Sequence, residues 1–532
     1  VSENINIVSA AAVGGPGTAS YAAAMTTPAR TMSTRTAPTG TAPAPTMRST
    51  ALIVGAGFGG IAMAIELRRH GIDDVVVLER AADVGGVWRE NSYPGAGCDV
   101  PSPLYSFSFA GVTRWPRRYA RQPDILAYLQ RVAREYGVTD RIRFGREVAS
   151  AEFDETNARW LVRTTGGEEY ETTAFIPAVG QLSRPSYPDI PGRETFRGTA
   201  FHSAEWDHDC DLTGKRVAVI GTGASAIQFV PEIRPQVGRL TVFQRSAQYI
   251  LPKRDHAYDR WYHLPLRAVP ALQKLDRLGF WLYAEFAQEC LSRWRIFTPL
   301  FAAQAARHLR ETVADPRLRE QLTPDYALGC KRILFSNDYL PALTDSTVDL
   351  VTDEVAEIVP EGVRTADGTL HEADVLIYGT GFAAQDLLAP MKIHGLGHRP
   401  LTDVWSDGAR AHLGITVPGF PNMFLMYGPN TNLGGGSIVH MLESQARYIR
   451  DAVSRLRARP GRYLDVKPEA ERAWDAMVQG RLARSVWTRC RSWYRAAGGR
   501  VVSNWPGRTR EYRRRTRRVK LADFRIGSAT AE

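Results

Sequence analysis

Cysteine is scarce in this chain. Five are scattered over 532 residues, at Cys98, Cys210, Cys290, Cys330 and Cys490, and no two form a C-x-x-C pair. That spacing argues against a disulfide scaffold, a cysteine-rich zinc site and a dithiol redox centre, so no metal site is expected. No stretch approaches the roughly 18 consecutive apolar residues that a membrane-spanning helix needs. A basic segment followed by an apolar core, as in a secretory signal, is also missing from the N-terminal region. A reduced, cytoplasmic enzyme with no transmembrane segment is the resulting expectation.

Residues 1–49 are rich in Ala, Thr, Ser, Pro and Gly and lack apolar periodicity, which predicts a disordered segment. Acidic residues are sparse near the other end. Arg508, Arg510, Arg513, Arg514, Arg515, Arg517, Arg518 and Lys520 surround only Glu511, and the net charge of the chain is +11. Such a run invites nucleic acid or anionic lipid, but no zinc-finger spacing or RNP-type aromatic motif accompanies it. It reads as a solvated basic terminal segment, with no nucleic-acid partner expected.

What is present is an ordinary globular mixture, 44% hydrophobic and 23% charged, enough for roughly two to four domains. Ala51-Leu52-Ile53-Val54 has the unbroken apolar character of a buried parallel strand. Gly55-Ala56-Gly57-Phe58-Gly59-Gly60 follows, then a helical pattern closed by Gly71, then a second strand from Val75 to Glu79. A G-x-G-x-x-G turn with a strand before it, a helix after it and an acid at the next strand tip is a dinucleotide-binding fingerprint. The device recurs at Gly221-Thr222-Gly223-Ala224-Ser225-Ala226, between a strand at 216–220 and one ending at Phe243. Gly55 and Glu79 are separated by as many positions as Gly221 and Arg245.

The two strand tips differ in sign. The Glu79 carboxylate suits ribose hydroxyls and repels a 2′-phosphate, whereas the Arg245 guanidinium attracts that phosphate. The first unit therefore reads as the FAD site, with Gly55, Gly57, Gly60 and Glu79. The second reads as the NADPH site, with Gly221, Gly223, Ser225 and Arg245. The phosphates are expected at the helix N-termini. A strand at 373–378 runs into Gly379-Thr380-Gly381, and the turn is expected to return the chain to the first domain with Gly381 at the cofactor. Residues 256–305, rich in aromatic residues and leucine, read as helices inserted in the second domain. A further helix is expected over 437–456.

Two long motifs carry a resemblance. Gly85-Gly86-Val87-Trp88-Arg89-Glu90-Asn91-Ser92-Tyr93-Pro94-Gly95-Ala96-Gly97-Cys98-Asp99 fits [AG]-G-x-W-x-x-x-x-[FY]-P-[GM]-x-x-x-D at every specified position, and residues 196–206 fit F-x-G-x-x-x-H-x-x-x-W. The chain resembles the class B flavin monooxygenases, and among them the type I Baeyer–Villiger monooxygenases, over roughly residues 50–510. The resemblance implies that FAD, reduced by NADPH, reacts with O2 to a C4a-peroxyflavin. That species attacks a ketone, and an ester or lactone leaves. It further implies that Arg332 is the catalytic arginine, steadying negative charge and contacting nicotinamide. Lys331 would join Arg245 at the 2′-phosphate, and Asp99 would hydrogen-bond the arginine. Gly86 and Trp88 belong to the cofactor fingerprint. His202 would serve domain movement rather than proton transfer, and Ser492-Trp493-Tyr494 resembles part of a loop that folds over NADPH.

The expected fold class is α/β with two Rossmann-like dinucleotide-binding domains. A discontinuous FAD domain (50–195 and 373–532) carries an inserted NADPH domain (196–372). The partners implied are a small ketone and O2. Oxygenation of nitrogen or sulfur centres is the nearest competing activity. Binding of nucleic acid or a membrane surface through the basic terminal segment is the competing reading of another class.

Overall fold

The computed structural model describes residues 46–111, 115–293 and 297–530. Strand Met47–Val54 is fully buried from Ala51 to Ile53, with parallel neighbours on both sides, Val75–Glu79 and Glu169–Pro177. A strand flanked and covered in this way excludes water from both faces, which is why its residues are apolar without alternation. Strand pairing already begins at Met47, opposite Tyr170, which corrects the disorder expected for residues 47–49. The rest of that expectation lies outside the described residues.

The first sheet has seven strands in the order Lys392–His394, Val148–Asp154, Arg159–Thr164, Glu169–Pro177, Met47–Val54, Val75–Glu79 and Ile142–Phe144. Helix Phe58–Arg68 packs on it and meets helix Ile438–Arg457. The latter is started by Ser437, whose hydroxyl accepts the Val439 N–H.

The second sheet is wholly parallel, in the order Val348–Val351, Arg239–Phe243, Arg216–Ile220, Val375–Tyr378 and Thr199–His202. Val375–Tyr378 thus completes this sheet instead of opening the return to the first. The chain rejoins the first sheet at Lys392–His394. The buried Val-Leu-Ile-Tyr run fits a central parallel strand of either sheet, so its composition cannot say which neighbours it takes. A three-stranded antiparallel sheet, Val355–Val359, Gly362–Thr365 and Leu370–Glu372, flanks the second sheet in sequence.

The expected insert is helical and extends further than read: Arg260–Ala268, Pro270–Ser292 and Thr298–Thr312. The middle helix rests on the far end of the chain. The Trp281 indole donates to Thr509 Oγ1 at 3.1 Å, and Gln288 Nε2 donates to the Trp505 carbonyl at 2.8 Å. No helix among the described residues is long and apolar enough to cross a membrane.

Two expectations are corrected here. The basic terminal segment is built into the fold. Helix Thr509–Arg515 buries Tyr512, whose hydroxyl donates to the Leu413 carbonyl at 2.7 Å, and strand Phe524–Ser528 pairs antiparallel with Arg462–Val466. Arg510, Arg513 and Arg514 stay exposed on its other face, and Arg515 is half-buried against Glu511, so the composition resembles that of a solvated tail. The cysteines, moreover, are not all reduced: Cys330 and Cys490 form a disulfide with Cα atoms 6.0 Å apart. Spacing rules detect neighbours in sequence and are blind to a pair 160 positions apart that folding brings together.

Candidate active site

Both glycine turns open on one cavity of about 1410 Å³. Every residue expected at the site lines it except Gly60. A Cβ on Gly60 would sit 1.8 Å from the Gly55 carbonyl oxygen, so that glycine serves the close packing of helix on strand. Gly55 has φ +101°, a backbone state L-residues avoid, and the turn presents its backbone directly to the cavity. The helices that follow the turns, Phe58–Arg68 and Ala226–Ile233, have no side-chain cap and no acid in their first turns. Their leading N–H groups are thereby left for an anion, the arrangement a pyrophosphate requires.

Glu79 is buried at the tip of its strand. Its carboxylate is oriented by two backbone donors, Ala56 N at 2.7 Å and Ala81 N at 3.0 Å. Held this way, it faces the cavity as a fixed acceptor. On the other side Lys331 Nζ donates to Ser246 Oγ at 2.7 Å and sits over the Tyr326 ring. Burial, and then repulsion from Arg245, push the Lys331 pKa down. Two cations crowded against one cavity wall, with an oriented carboxylate at the other turn, fit a dinucleotide carrying a 2′-phosphate beside one that lacks it.

Arg332 projects into the cavity between the turns. It is exposed to solvent through the open side of this cavity. Burial works to lower its pKa, but the charge of Asp99 foremost, with Tyr494, Cys98 and Tyr427, outweighs it and raises the pKa. The guanidinium is a permanent cation at any working pH.

The expected hydrogen bond between Asp99 and Arg332 is not formed. Asp99 Oδ1 instead stands 3.4 Å from Lys253 Nζ, and its attraction for Arg332 acts through space. Lys253 carries no motif, and nothing in the sequence singles it out. Its backbone is clamped by Asn337, with Lys253 N donating to Asn337 Oδ1 at 2.9 Å and Asn337 Nδ2 donating to the Lys253 carbonyl at 2.7 Å. Strand Ile250–Leu251 pairs with Leu334–Phe335, so the segments bearing Lys253 and Arg332 form one unit.

The long fingerprint joins the two modules. Gln228, on the helix after the second turn, accepts from Tyr93 OH at 3.0 Å and Gly97 N at 3.3 Å and donates to the Gly97 carbonyl at 3.0 Å. A Cβ on Gly95 would meet the Gln228 carbonyl oxygen at 2.6 Å. Trp88 packs edge-on against Tyr105 and donates to its hydroxyl at 3.1 Å, a packing role at the cavity wall. His202 is fully buried between Tyr187 and Phe382, with burial lowering its pKa, and it is not exposed to the cavity. Trp493 lines the cavity and Tyr494 is buried behind it. Sequence reasoning also missed Tyr427 and Asn432, joined by a 2.8 Å hydrogen bond in the cavity wall.

Two nucleotide turns facing one cavity, with Arg332 in its wall, define a two-dinucleotide oxidoreductase. A family model described as pyridine nucleotide-disulphide oxidoreductase matches residues 52–261. The chain is 46% identical to a Baeyer–Villiger monooxygenase of Streptomyces coelicolor over 477 residues, covering 89% of this chain and 92% of that one. It is 42% identical to one of Pseudomonas aeruginosa, covering 89% and 90%. Among solved structures, cyclohexanone monooxygenase from Rhodococcus sp. Phi1 bound to NADP+ superposes with a TM-score of 0.81 at 29% identity, covering 91% of this chain and all of that one. An oxidised steroid monooxygenase bound to NADP superposes with a TM-score of 0.78 at 32% identity, covering 88% and 97%. The chain belongs to the Baeyer–Villiger monooxygenase family, and it is a monooxygenase.

Proposed function

We propose that this enzyme inserts one oxygen atom beside the carbonyl of an apolar ketone, giving an ester or lactone, with FAD at the first glycine turn and NADPH at the second. The division of labour follows the sheets: the seven-stranded module takes FAD, the five-stranded module takes NADPH. Bound at these turns, FAD and NADPH would supply the electrons and the activation of O2 that the reaction needs. The rest is the work of this chain. Gly55 and Gly57 allow backbone approach to the FAD pyrophosphate, and Glu79 accepts from the ribose hydroxyls. Arg245 and Lys331 bind the 2′-phosphate, which relieves their mutual repulsion.

Arg332 carries the fixed positive charge at the reacting centre. In a cleft from which bound cofactors and substrate exclude water, such a charge stabilises developing oxyanion far more than it would in bulk water. Asp99, paired with Lys253, keeps that charge in place without neutralising it by direct contact. The Gln228 clamp aligns the two modules around the cavity. The observation that carries the reading is that Arg332 and Asp99 line the one cavity onto which both nucleotide turns open. A ketone and O2 are the partners this requires, and the cytoplasm, where NADPH is supplied, is the compartment.

The test is one assay of the yellow protein with NADPH, O2 and a panel of linear, cyclic, aryl and steroid ketones plus a sulfide. An ester or lactone one oxygen heavier than its ketone is the expected product. Sulfoxide alone would replace the reading with heteroatom oxygenation. NADPH consumption that yields only hydrogen peroxide with every substrate would remove it.

A further inference from the structure

We propose that Cys330 and Cys490 form a redox modification site whose oxidation state sets how firmly the cavity is closed over the second nucleotide. This deepens the function proposed above and rests on its assignment of NADPH to the Arg245–Lys331 side.

The disulfide lies at a meeting point of functional segments. Cys330 immediately precedes Lys331 and Arg332 and is fully buried. Cys490 precedes Arg491, Ser492 and Trp493, which form a wall of the same cavity. The bond therefore ties that wall to the segment carrying the proposed phosphate-binding lysine and catalytic arginine. The wall belongs to no strand. It is held by the Arg495 guanidinium on the Thr488, Cys490 and Gly499 carbonyls, by Gln385 Nε2 on the Trp493 and Arg495 carbonyls, by the backbone bond from Val502 N to the Tyr494 carbonyl at 3.0 Å and by burial of Tyr494, and the disulfide is its covalent tie to the Lys331–Arg332 segment. Arg489 and Arg491, on either side of Cys490, are exposed.

The remaining cysteines do not share this position. Cys98 and Cys290 are free and buried, and burial pushes the Cys98 thiol up to about 12. Of the bonded pair, Cys490 is the more exposed residue, and its sulfur is the one a small reagent is expected to attack. Intracellular disulfides are uncommon, and those that occur are mostly transient and redox-sensing.

The chemistry balances with a peroxide as oxidant. The Cys490 thiolate attacks one peroxide oxygen, the O–O bond breaks, and a sulfenic acid forms as the first water leaves. The Cys330 thiol then displaces the second water as the S–S bond forms. Two thiol protons and two electrons pass to one hydrogen peroxide, giving two waters. A small dithiol reverses the step by exchange, attacking at Cys490 and leaving as its own disulfide.

The test uses full-length, FAD-loaded protein in two states, treated with hydrogen peroxide or with dithiothreitol and checked by peptide mass spectrometry across Cys330 and Cys490. Each state is digested briefly with trypsin, and its NADP+ release is followed by stopped-flow displacement; Cys490→Ser is carried in parallel. The oxidised protein is expected to be cleaved at Arg489 and Arg491, and to release NADP+, about tenfold more slowly than the reduced protein. Cys490→Ser should match the reduced protein after either treatment. The proposal is overturned if peroxide leaves the two cysteines unlinked, or if both states are cleaved and release NADP+ alike. Failure of both states to bind NADP+ would defeat the nucleotide assignment instead. The trypsin result then decides the tether by itself, equal cleavage overturning it.

Discussion

Asp99 and Lys253 form an ion pair, Oδ1 to Nζ at 3.4 Å, with side chains only 8% and 17% exposed. The acid that closes the long fingerprint is thus steadied by a lysine from the second module. Arg332 is left with a free guanidinium and a nearby negative field. An arginine bonded directly to a carboxylate would have fewer donors left for a developing oxyanion.

Removing that lysine leaves a carboxylate in a confined site. Lys253→Met is expected to lower stability by on the order of 3 kcal/mol, as for a broken buried pair, and to reduce ketone oxygenation while FAD stays bound. Urea unfolding and product yield measure the two effects. Wild-type values for both would show that the pair has no role in holding Asp99.

Arg332→Ala should retain FAD and lose about 10²–10³ in ester formation, the cost of removing one donor from an oxyanion-stabilising site. Arg332→Lys is expected to recover only part, because a point charge does not reproduce the planar set of donors. Steady-state product analysis checks this, and undiminished ester formation by the alanine variant would contradict the assignment.

Arg245→Ala should raise the KM for NADPH by about 10–100-fold, the worth of a hydrogen bond to a charged group, and leave that for NADH little changed. A parallel rise for both cofactors would point to damage to the fold rather than loss of a phosphate contact.

His440 makes stability depend on pH. Burial first, and then Arg513, Arg277 and Arg447, lower its pKa to about 4. The unfolded chain therefore binds a proton near the ordinary histidine value of 6.5 that the folded chain refuses until about 4. Stability is retained above pH 6.5 and is lost as pH falls through that window, by up to about 3 kcal/mol from this group. Comparing thermal unfolding of wild type and His440→Gln across the window should show a shallower acid loss in the variant. Identical slopes would exclude the effect.

Deleting residues 508–532 should abolish the folded flavoprotein rather than trim a tail. Tyr512 is fully buried, and Gln445 Nε2 donates to its hydroxyl at 3.1 Å. Tyr512→Ala alone is expected to cost about 3–5 kcal/mol, in line with other large aromatic truncations. A soluble, yellow truncated protein would overturn this account of the segment.

The nucleotide turns were legible because their chemistry is local. A glycine at φ +101° and a strand tip bearing Glu79 or Arg245 are written within a few dozen neighbouring residues. Gly60 shows the limit of such a motif, since the pattern includes it for packing and not for contact with a ligand. The return to the first domain is expected from the strand at 373–378, whereas that strand pairs within the second sheet, because a buried parallel strand looks the same wherever it is inserted. The basic helix Thr509–Arg515 misled because charge on one face hides a buried Thr509 and Tyr512 on the other.

By itself, the sequence determined the two α/β nucleotide units, the opposite charges at their strand tips and the family to which the chain belongs. Only the tertiary structure decided that Lys253 rather than Arg332 pairs with Asp99, that Gln228 joins the modules, and that Cys330 meets Cys490. Turn and strand signals arise from short-range sterics and periodicity. Partners such as these lie far apart along the chain, and they become neighbours only when two sheets and their helices have packed around the shared cavity.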